Sequence, residues 1–324
     1  MMKIKHLVMA VSVAAVHVGG AILGLKYYAP DVYWDLFHEE SYEDIIKSGT
    51  PEGRQELKGP ADRGSATAQF YYANMLNLGI GGPKDEVAAV EYYKKAAEQG
   101  CLQSHFNLGI LYLKGFGGKN SKKMARLSFA KAADGGHADA QSNYANMLEF
   151  GAGGGKDLSE ARKYYEMSVQ NGSELGYYNL AVGLERGLWG KPDLIQARKL
   201  FALAAQKGFG FAKSNYAIML RNGLGGERDL MQAKRLCKEA ADEGLAVAQY
   251  NYAIILIYDI GGPDQEIEAY MKRSAENGYP PAMLSYGRFL LNEKNDVQKA
   301  KKYFEKAAAA GEALEESEKK LIAG

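Results

Sequence analysis

Cysteine is almost missing from this chain: Cys101 and Cys237 are the only two among 324 residues. That is too few for a disulfide scaffold, and neither lies in a CxxC or Cys/His spacing that would hold zinc. Two cysteines neither demand nor exclude an oxidising compartment. Net charge is also scarce. Forty Lys and Arg face 39 Asp and Glu, leaving +1, which gives no electrostatic footing for nucleic acid. The five histidines, His6, His17, His38, His105 and His137, contain no HExxH-like pair and suggest no metal. Glycine-rich turns abound, yet none reads GxxxxGK[ST] or follows a strand as GxGxxG, so no phosphate cradle is expected. Ser128-Phe129-Ala130-Lys131 and Ser317-Glu318-Lys319-Lys320 have SxxK spacing. The SDN and KTG elements that such a nucleophile needs are absent. Ser128 occupies a position where sister segments carry Tyr or Leu. The expectation is a chain that is not an enzyme and takes no cofactor or metal.

What is present begins at the N-terminus. Lys3, Lys5 and His6 precede an uncharged stretch from Leu7 to Leu25, closed by Lys26. As a helix it would span about 28 Å, near the hydrocarbon thickness of a bilayer. It reads as a signal peptide with small residues Gly19-Gly20-Ala21 for cleavage, or as a retained inner-membrane anchor. Three glycines and His17 make it a mediocre span. Lys3 and Lys5 favour an inside N-terminus, so the rest is expected outside the cytoplasm, in the periplasm. A buried helix of a soluble, intracellular adaptor is the competing reading. Residues 1–30 are therefore read as the hydrophobic signal or anchor helix. Residues 31–64 read as a linker and an N-terminal capping helix or half-repeat.

The dominant signal is a fixed period. Glycines recur every 36 residues at Gly64, Gly100, Gly136, Gly172, Gly208 and Gly244, and two shorter units end at Gly278 and Gly311. The units are 65–100, 101–136, 137–172, 173–208, 209–244, 245–278 and 279–311. Position seven holds Asn107, Asn143, Asn179, Asn215 and Asn251; position twelve holds Leu76, Tyr112, Leu148, Leu184, Leu220, Leu256 and Leu290. Each unit reads as two helices. In the third, Ala140–Phe150 keeps apolar residues three and four apart. The glycine-rich centre Gly151–Asp157 stops it, and Asp157 with Glu160 resembles a capping box for the second helix. One such hairpin cannot bury its apolar face alone, whereas stacked neighbours can. Residues 312–324 are charged and helical in pattern, suiting a C-terminal capping helix. Cys237 falls on an apolar face and reads as a small core residue. Cys101 opens a unit and is expected to be more exposed.

On these residues the chain resembles the Sel1-like repeat family, a relative of the TPR family. The first unit reads ATAQFYYANMLNLGIGGPKDEVAAVEYYKKAAEQG, and the second carries LQSHFNLGILYLKGFGG and ends AKAADGG. The family's Leu-Gly pair survives as Leu108-Gly109 but is usually Tyr-Ala, as at Tyr144-Ala145 and Tyr216-Ala217. The Tyr four residues later is usually Leu. The resemblance implies an all-α, right-handed αα solenoid of about seven repeats, preceded by the N-terminal hydrophobic helix. It also implies adaptor work on a protein or peptide partner in the bacterial cell envelope.

If the array curves as TPR-like arrays do, positions three, six, ten and thirteen of each unit face a concave side. They include Phe70, Asn74, Asn77, Phe106, Ile110, Asn146, Glu149, Tyr178, Glu185, Phe211, Ile218, Arg221, Tyr250 and Arg288. Aromatics with few unbalanced charges suit a peptide or protein groove. The other reading is that half of them pack between helices. Two function classes follow: a non-enzymatic protein–protein interaction scaffold, or a glycan- or peptidoglycan-directed envelope protein, with or without enzymatic activity, with aromatics and carboxylates in the groove.

Overall fold

The computed structural model describes residues 39–323. The apolar stretch Leu7–Leu25 and residues 31–38 lie outside them. The described residues form seventeen α-helices and no strand, and none of these helices is long and apolar enough to cross a membrane. The order is α1 (Glu39–Ser48), α2 (Pro51–Arg63), α3 (Ala66–Leu78), α4 (Glu86–Glu98), α5 (Leu102–Leu111), α6 (Ser121–Asp134), α7 (Ala138–Phe150), α8 (Leu158–Gln170), α9 (Glu174–Glu185), α10 (Leu194–Gln206), α11 (Gly210–Asn222), α12 (Leu230–Asp242), α13 (Ala246–Ile255), α14 (Asp264–Glu276), α15 (Pro280–Asn292), α16 (Val297–Ala309) and α17 (Glu316–Ala323). From α3 onward, odd-numbered helices open a unit and even-numbered helices close it. The chain forms two compact bodies, one through Ala161 and one from Arg162.

Each helix stops for a stated reason. The glycines that end the units sit at positive φ, from 79° at Gly172 to 112° at Gly64. At Gly100 the glycine N–H donates to Ala97 O at 2.9 Å and the next N–H, of Cys101, donates to Ala96 O at 3.1 Å. The same pair recurs at Gly136, Gly172, Gly208, Gly244, Gly278 and Gly311. This double bond to the last turn satisfies carbonyls a helix otherwise leaves bare, and it needs a left-handed residue.

The mid-unit turn is closed by an aspartate. Asp85, Asp157, Asp193, Asp229 and Asp296 each accept, through Oδ1, the N–H three residues on, at 2.9–3.1 Å. Their own N–H groups donate to Leu76, Leu148, Leu184, Leu220 and Leu290, at 2.8–3.0 Å. One residue therefore caps the second helix and ties it to the first. At Asp157, where a capping box with Glu160 was expected, the aspartate N–H is given to Leu148.

Units two and six lack that aspartate and depart. In unit two the first helix runs on past Tyr112 to a kink at the left-handed Gly115 (φ 104°), and a 3₁₀ turn, Gly118–Asn120, follows. In unit six, Asp259 stands where other units place a left-handed glycine (Gly79, Gly151, Gly223). The helix cannot end there and runs on as a π turn, Leu256–Ile260.

Small residues set the helix spacing. Ala96, Ala97, Ala132, Ala133, Ala204, Ala205, Ala240 and Ala241 are buried beside the fully buried rings of Tyr93, Phe129 and Phe201. Each such ring contributes roughly 2–3 kcal/mol of burial. Leu108-Gly109 keeps its glycine because a Cβ there would lie 2.5 Å from the Phe129 ring; Gly287 stands likewise 2.7 Å from Phe304. Cys237 is fully buried within the C-terminal core, and burial pushes its thiol up to about 12. Cys101 is half-buried.

Successive units meet backbone to backbone. A Cβ on Gly81, Gly153 or Gly225 would come within 2.3, 2.3 and 2.1 Å of the carbonyl oxygens of Thr50, Lys122 and Leu194 in the preceding unit. Arginines secure the same turns: Arg54 donates to Pro83 O, Arg126 to Gly155 O and Arg198 to Glu227 O, at 2.7–2.9 Å. Arg54 and Thr50 keep the repeat's register, so α2 acts as the second helix of a unit ahead of the first. In unit four Trp189 replaces the contact glycine, and Arg162 lies over its ring at 5.6 Å instead.

Two glycine substitutions separate conformation from contact. Gly244 has φ 94° and open space where a Cβ would stand; Gly244→Ala should cost roughly 1–2 kcal/mol, the left-handed penalty alone. Gly225→Ala should add about 1–3 kcal/mol of overpacking to that. Urea unfolding of the two variants checks the order.

Candidate functional site

The first helices present positions six, ten and thirteen on one face, and asparagines at position seven reach polar groups at positions six and ten of the preceding unit to form rungs. Asn107 Nδ2 donates to Asn74 Oδ1 at 3.1 Å, and the Tyr93 hydroxyl donates to the same oxygen. Asn251 Nδ2 donates to Ser214 Oγ at 3.1 Å. Asn215 lies beside the Tyr178 hydroxyl. Asn107 and Asn251 thus join their first helices to the preceding ones, whereas Asn143 donates to Asp139 O of its own helix at 2.8 Å.

The fourteen residues expected on this face divide. Phe70 packs on Tyr71 and Tyr93, with ring centroids 5.2 and 6.2 Å away. Asn74 is spent on its rung. Asn77 is half-buried, its Oδ1 without a partner. Phe106 stacks on His137 at 4.5 Å and meets Phe129 at 5.9 Å. Ile110 and Ile218 are half-buried, Asn146 is exposed and Glu149 is buried. Tyr178 packs among Phe201, Phe209 and Phe211. Glu185 is half-buried, and burial holds its carboxyl above the usual range. Phe211 is 48% exposed.

Arg221, Tyr250 and Arg288 come together in the C-terminal body. They line one groove of about 660 Å³ with Asn251, Ile254, Ile257, Tyr258, Met271, Ser285, Phe289, Asn292 and Glu293. Arg221 Nε lies 2.5 Å from Asp259 Oδ2, and Arg228 lies 2.8 Å from Oδ1 of the same carboxylate. Tyr250 packs on Tyr279 at 5.4 Å and shares a 3.3 Å hydrogen bond with Ser285. Arg288 is held by Glu318 at 2.6 Å and Glu315 at 2.9 Å. Both guanidiniums are thus fixed in place and locally neutralised.

Sequence periodicity missed Tyr258, which is 73% exposed over this groove. It belongs to the π turn of unit six and falls off the regular positions. The signal available was Asp259 in the place of a turn glycine. Among the described residues, no group of three or more His, Cys, Asp or Glu is placed to hold a metal ion.

Tandem helical hairpins, joined through periodic glycine, aspartate and asparagine contacts, define an αα-repeat solenoid protein. The Sel1 repeat profile matches residues 66–101, 102–137, 138–173, 175–209, 211–245 and 280–312. The chain belongs to the Sel1 repeat family, whose repeats generally mediate protein–protein interaction. The unmatched stretch is unit six, the one with aspartate in place of the turn glycine. Among solved structures, the chain is similar to a Sel1 repeat protein from Oxalobacter formigenes, with 26% identity over 73% of this chain and 96% of that one, TM-score 0.65. It shares its fold with a protective antigen of uropathogenic Escherichia coli strains, at 24% identity, covering 89% and 68% of the two chains, TM-score 0.67. A quorum sensor from B. thuringiensis, in its apo form, has the same kind of fold at 12% identity over 95% and 93%, TM-score 0.54. No curated protein matches the chain.

The Arg288–Glu318 pair sits where the Asn107–Asn74 rung sits between units one and two, with α17 in the place of an eighth first helix. Burial opposes the Glu318 charge, but the bonds from Arg288 and the Glu315 N–H outweigh it and hold the carboxyl below the usual range. Stability from a depressed carboxylate is present at neutral pH and fades as pH falls through about 4.5 toward the folded value. Hydrogen exchange of α17 should therefore quicken, relative to α12, between pH 7 and 4. Glu318→Gln should remove that pH dependence and cost about 1–3 kcal/mol at neutral pH.

Proposed function

We propose that this chain is a non-enzymatic adaptor of the bacterial cell envelope, which holds a segment of a partner protein in the groove of units five to seven. The groove carries the reading. Tyr250, Tyr258 and Phe289 supply aromatic area, Arg221 and Arg288 supply rigid donors, and Asn251, Asn292 and Ser285 supply polar edges. Tyrosine and arginine dominate the energetic centres of protein interfaces. Because each arginine already has a carboxylate partner, the groove suits a polypeptide with mixed polarity more than a polyanion. Envelope placement rests on Lys3 and Lys5 ahead of the uncharged run Leu7–Leu25, the pattern of an export signal or anchor.

A photo-crosslinking side chain placed at Tyr258 in the native host should yield a protein adduct that the same group at Lys199, exposed on the second helix of unit four, does not. Tyr258→Ala should weaken the isolated complex about tenfold or more. Equal adducts at both positions, or retention of purified peptidoglycan with no protein adduct, would overturn the reading. Recovery of the native protein with the cytosol alone would overturn the envelope assignment.

A further inference from the structure

Two junctions between second helices share a three-part contact. The Tyr92 hydroxyl donates to Asp62 Oδ1 at 2.5 Å, Lys58 pairs with the same carboxylate, and the Tyr92 ring meets Tyr72 edge-on at 4.8 Å. Near the other end, the Tyr270 hydroxyl donates to Asp242 Oδ1 at 2.5 Å. Lys238 Nζ lies 3.1 Å from Asp242 and 2.9 Å from the phenol oxygen, and the ring meets Tyr252 edge-on at 4.8 Å. In repeat register, the phenol belongs to one unit, and the lysine and acid lie four residues apart in the unit before it.

At the junction of units one and two the same positions hold a lysine and an acid, Lys94 and Glu98, with Lys94 paired to Glu91 at 2.7 Å, but the phenol is missing. Its position is Ser128, and the ring's edge-on neighbour is Leu108. The space it leaves is a cavity of about 250 Å³, bordered by Lys94, Glu98, His105, Leu108, Leu127 and Ser128. An apolar cavity of about 150 Å³ already accepts benzene. The lining here joins apolar Leu108, Met124 and Leu127 to charged Lys94, Glu98 and Lys131; burial, with Lys131 nearby, holds the His105 imidazole below its usual range. Leu127, 56% exposed, stands at the mouth, so a side chain enters without opening the helices.

We propose that this cavity binds a phenol, presented as a tyrosine side chain by a protein partner. The ring rests on Leu108 and Leu127, and the hydroxyl donates to Glu98 beside Lys94, as Tyr92 does to Asp62 and Tyr270 to Asp242. The chain would then complete with a partner's residue the contact it completes elsewhere with its own. This site lies in the N-terminal body and does not depend on the groove of units five to seven.

The test uses the full chain and three probes, p-cresol, N-acetyl-tyrosinamide and N-acetyl-phenylalaninamide, followed by NMR shifts of His105, Leu108 and Leu127. Both phenols should bind with Kd on the order of a millimolar, as expected of ligands this small, and the phenylalanine compound about tenfold more weakly. Ser128→Tyr should abolish binding and raise the thermal midpoint, because the chain then fills its own seat. Glu98→Ala, on the exposed side of α4, should leave the fold intact and erase the preference for tyrosine over phenylalanine. Equal binding of the two amides to the unaltered chain, or no shifts with any probe, overturns the proposal. So does binding of p-cresol without N-acetyl-tyrosinamide, or binding that survives Ser128→Tyr in a folded variant.

Discussion

The hydrogen bond from an aspartate N–H to the carbonyl of the leucine nine residues earlier, as from Asp85 to Leu76 and Asp229 to Leu220, sets the geometry on which the rest depends. It fixes the angle at which each hairpin closes while the aspartate side chain caps the second helix. With that angle set, the paired alanines can approach and the buried rings of Tyr93 and Phe201 find like surroundings. Unit six, which loses both this aspartate and the turn glycine, shows the alternative. Its first helix overruns, and the overrun delivers Asp259 to Arg221 and Tyr258 to the groove. Irregularity at one turn has produced the surface with the most unusual chemistry in the C-terminal body.

Much of this was legible in the sequence because backbone conformation restricts residue choice. A left-handed helix end tolerates little but glycine, so Gly64 through Gly311 announced every unit boundary. Asn107 and Asn251 announced their register, but not their task, since a rung needs a partner on another helix and no periodicity names it. The face that carries Arg221, Tyr250 and Arg288 was legible from helical spacing. The split between Phe106, folded onto His137 and Phe129, and Phe211, still 48% exposed, was not. Tyr258 escaped because a π turn shifts the phase by which faces are counted.

The close approach of units explains why two kinds of glycine coexist. Those at unit ends have open space and are needed for conformation. Gly81, Gly153 and Gly225 are needed because a neighbouring carbonyl oxygen occupies the place of a side chain. Trp189 shows that the second requirement can be traded: a ring fills the gap, its face takes up Arg162, and Gly183 yields room for its edge.

The contacts that join one unit to the next link residues near in sequence; even the Arg221–Asp259 bond reaches across only 38 residues. A chain with such local wiring has low contact order and folds quickly, with loop closure costing little at any step. Damage stays local for the same reason, so the array melts unit by unit from its weakest junction. A cell could thin out one end of this protein, by proteolysis or by low pH, and leave the recognition surface at the other end working.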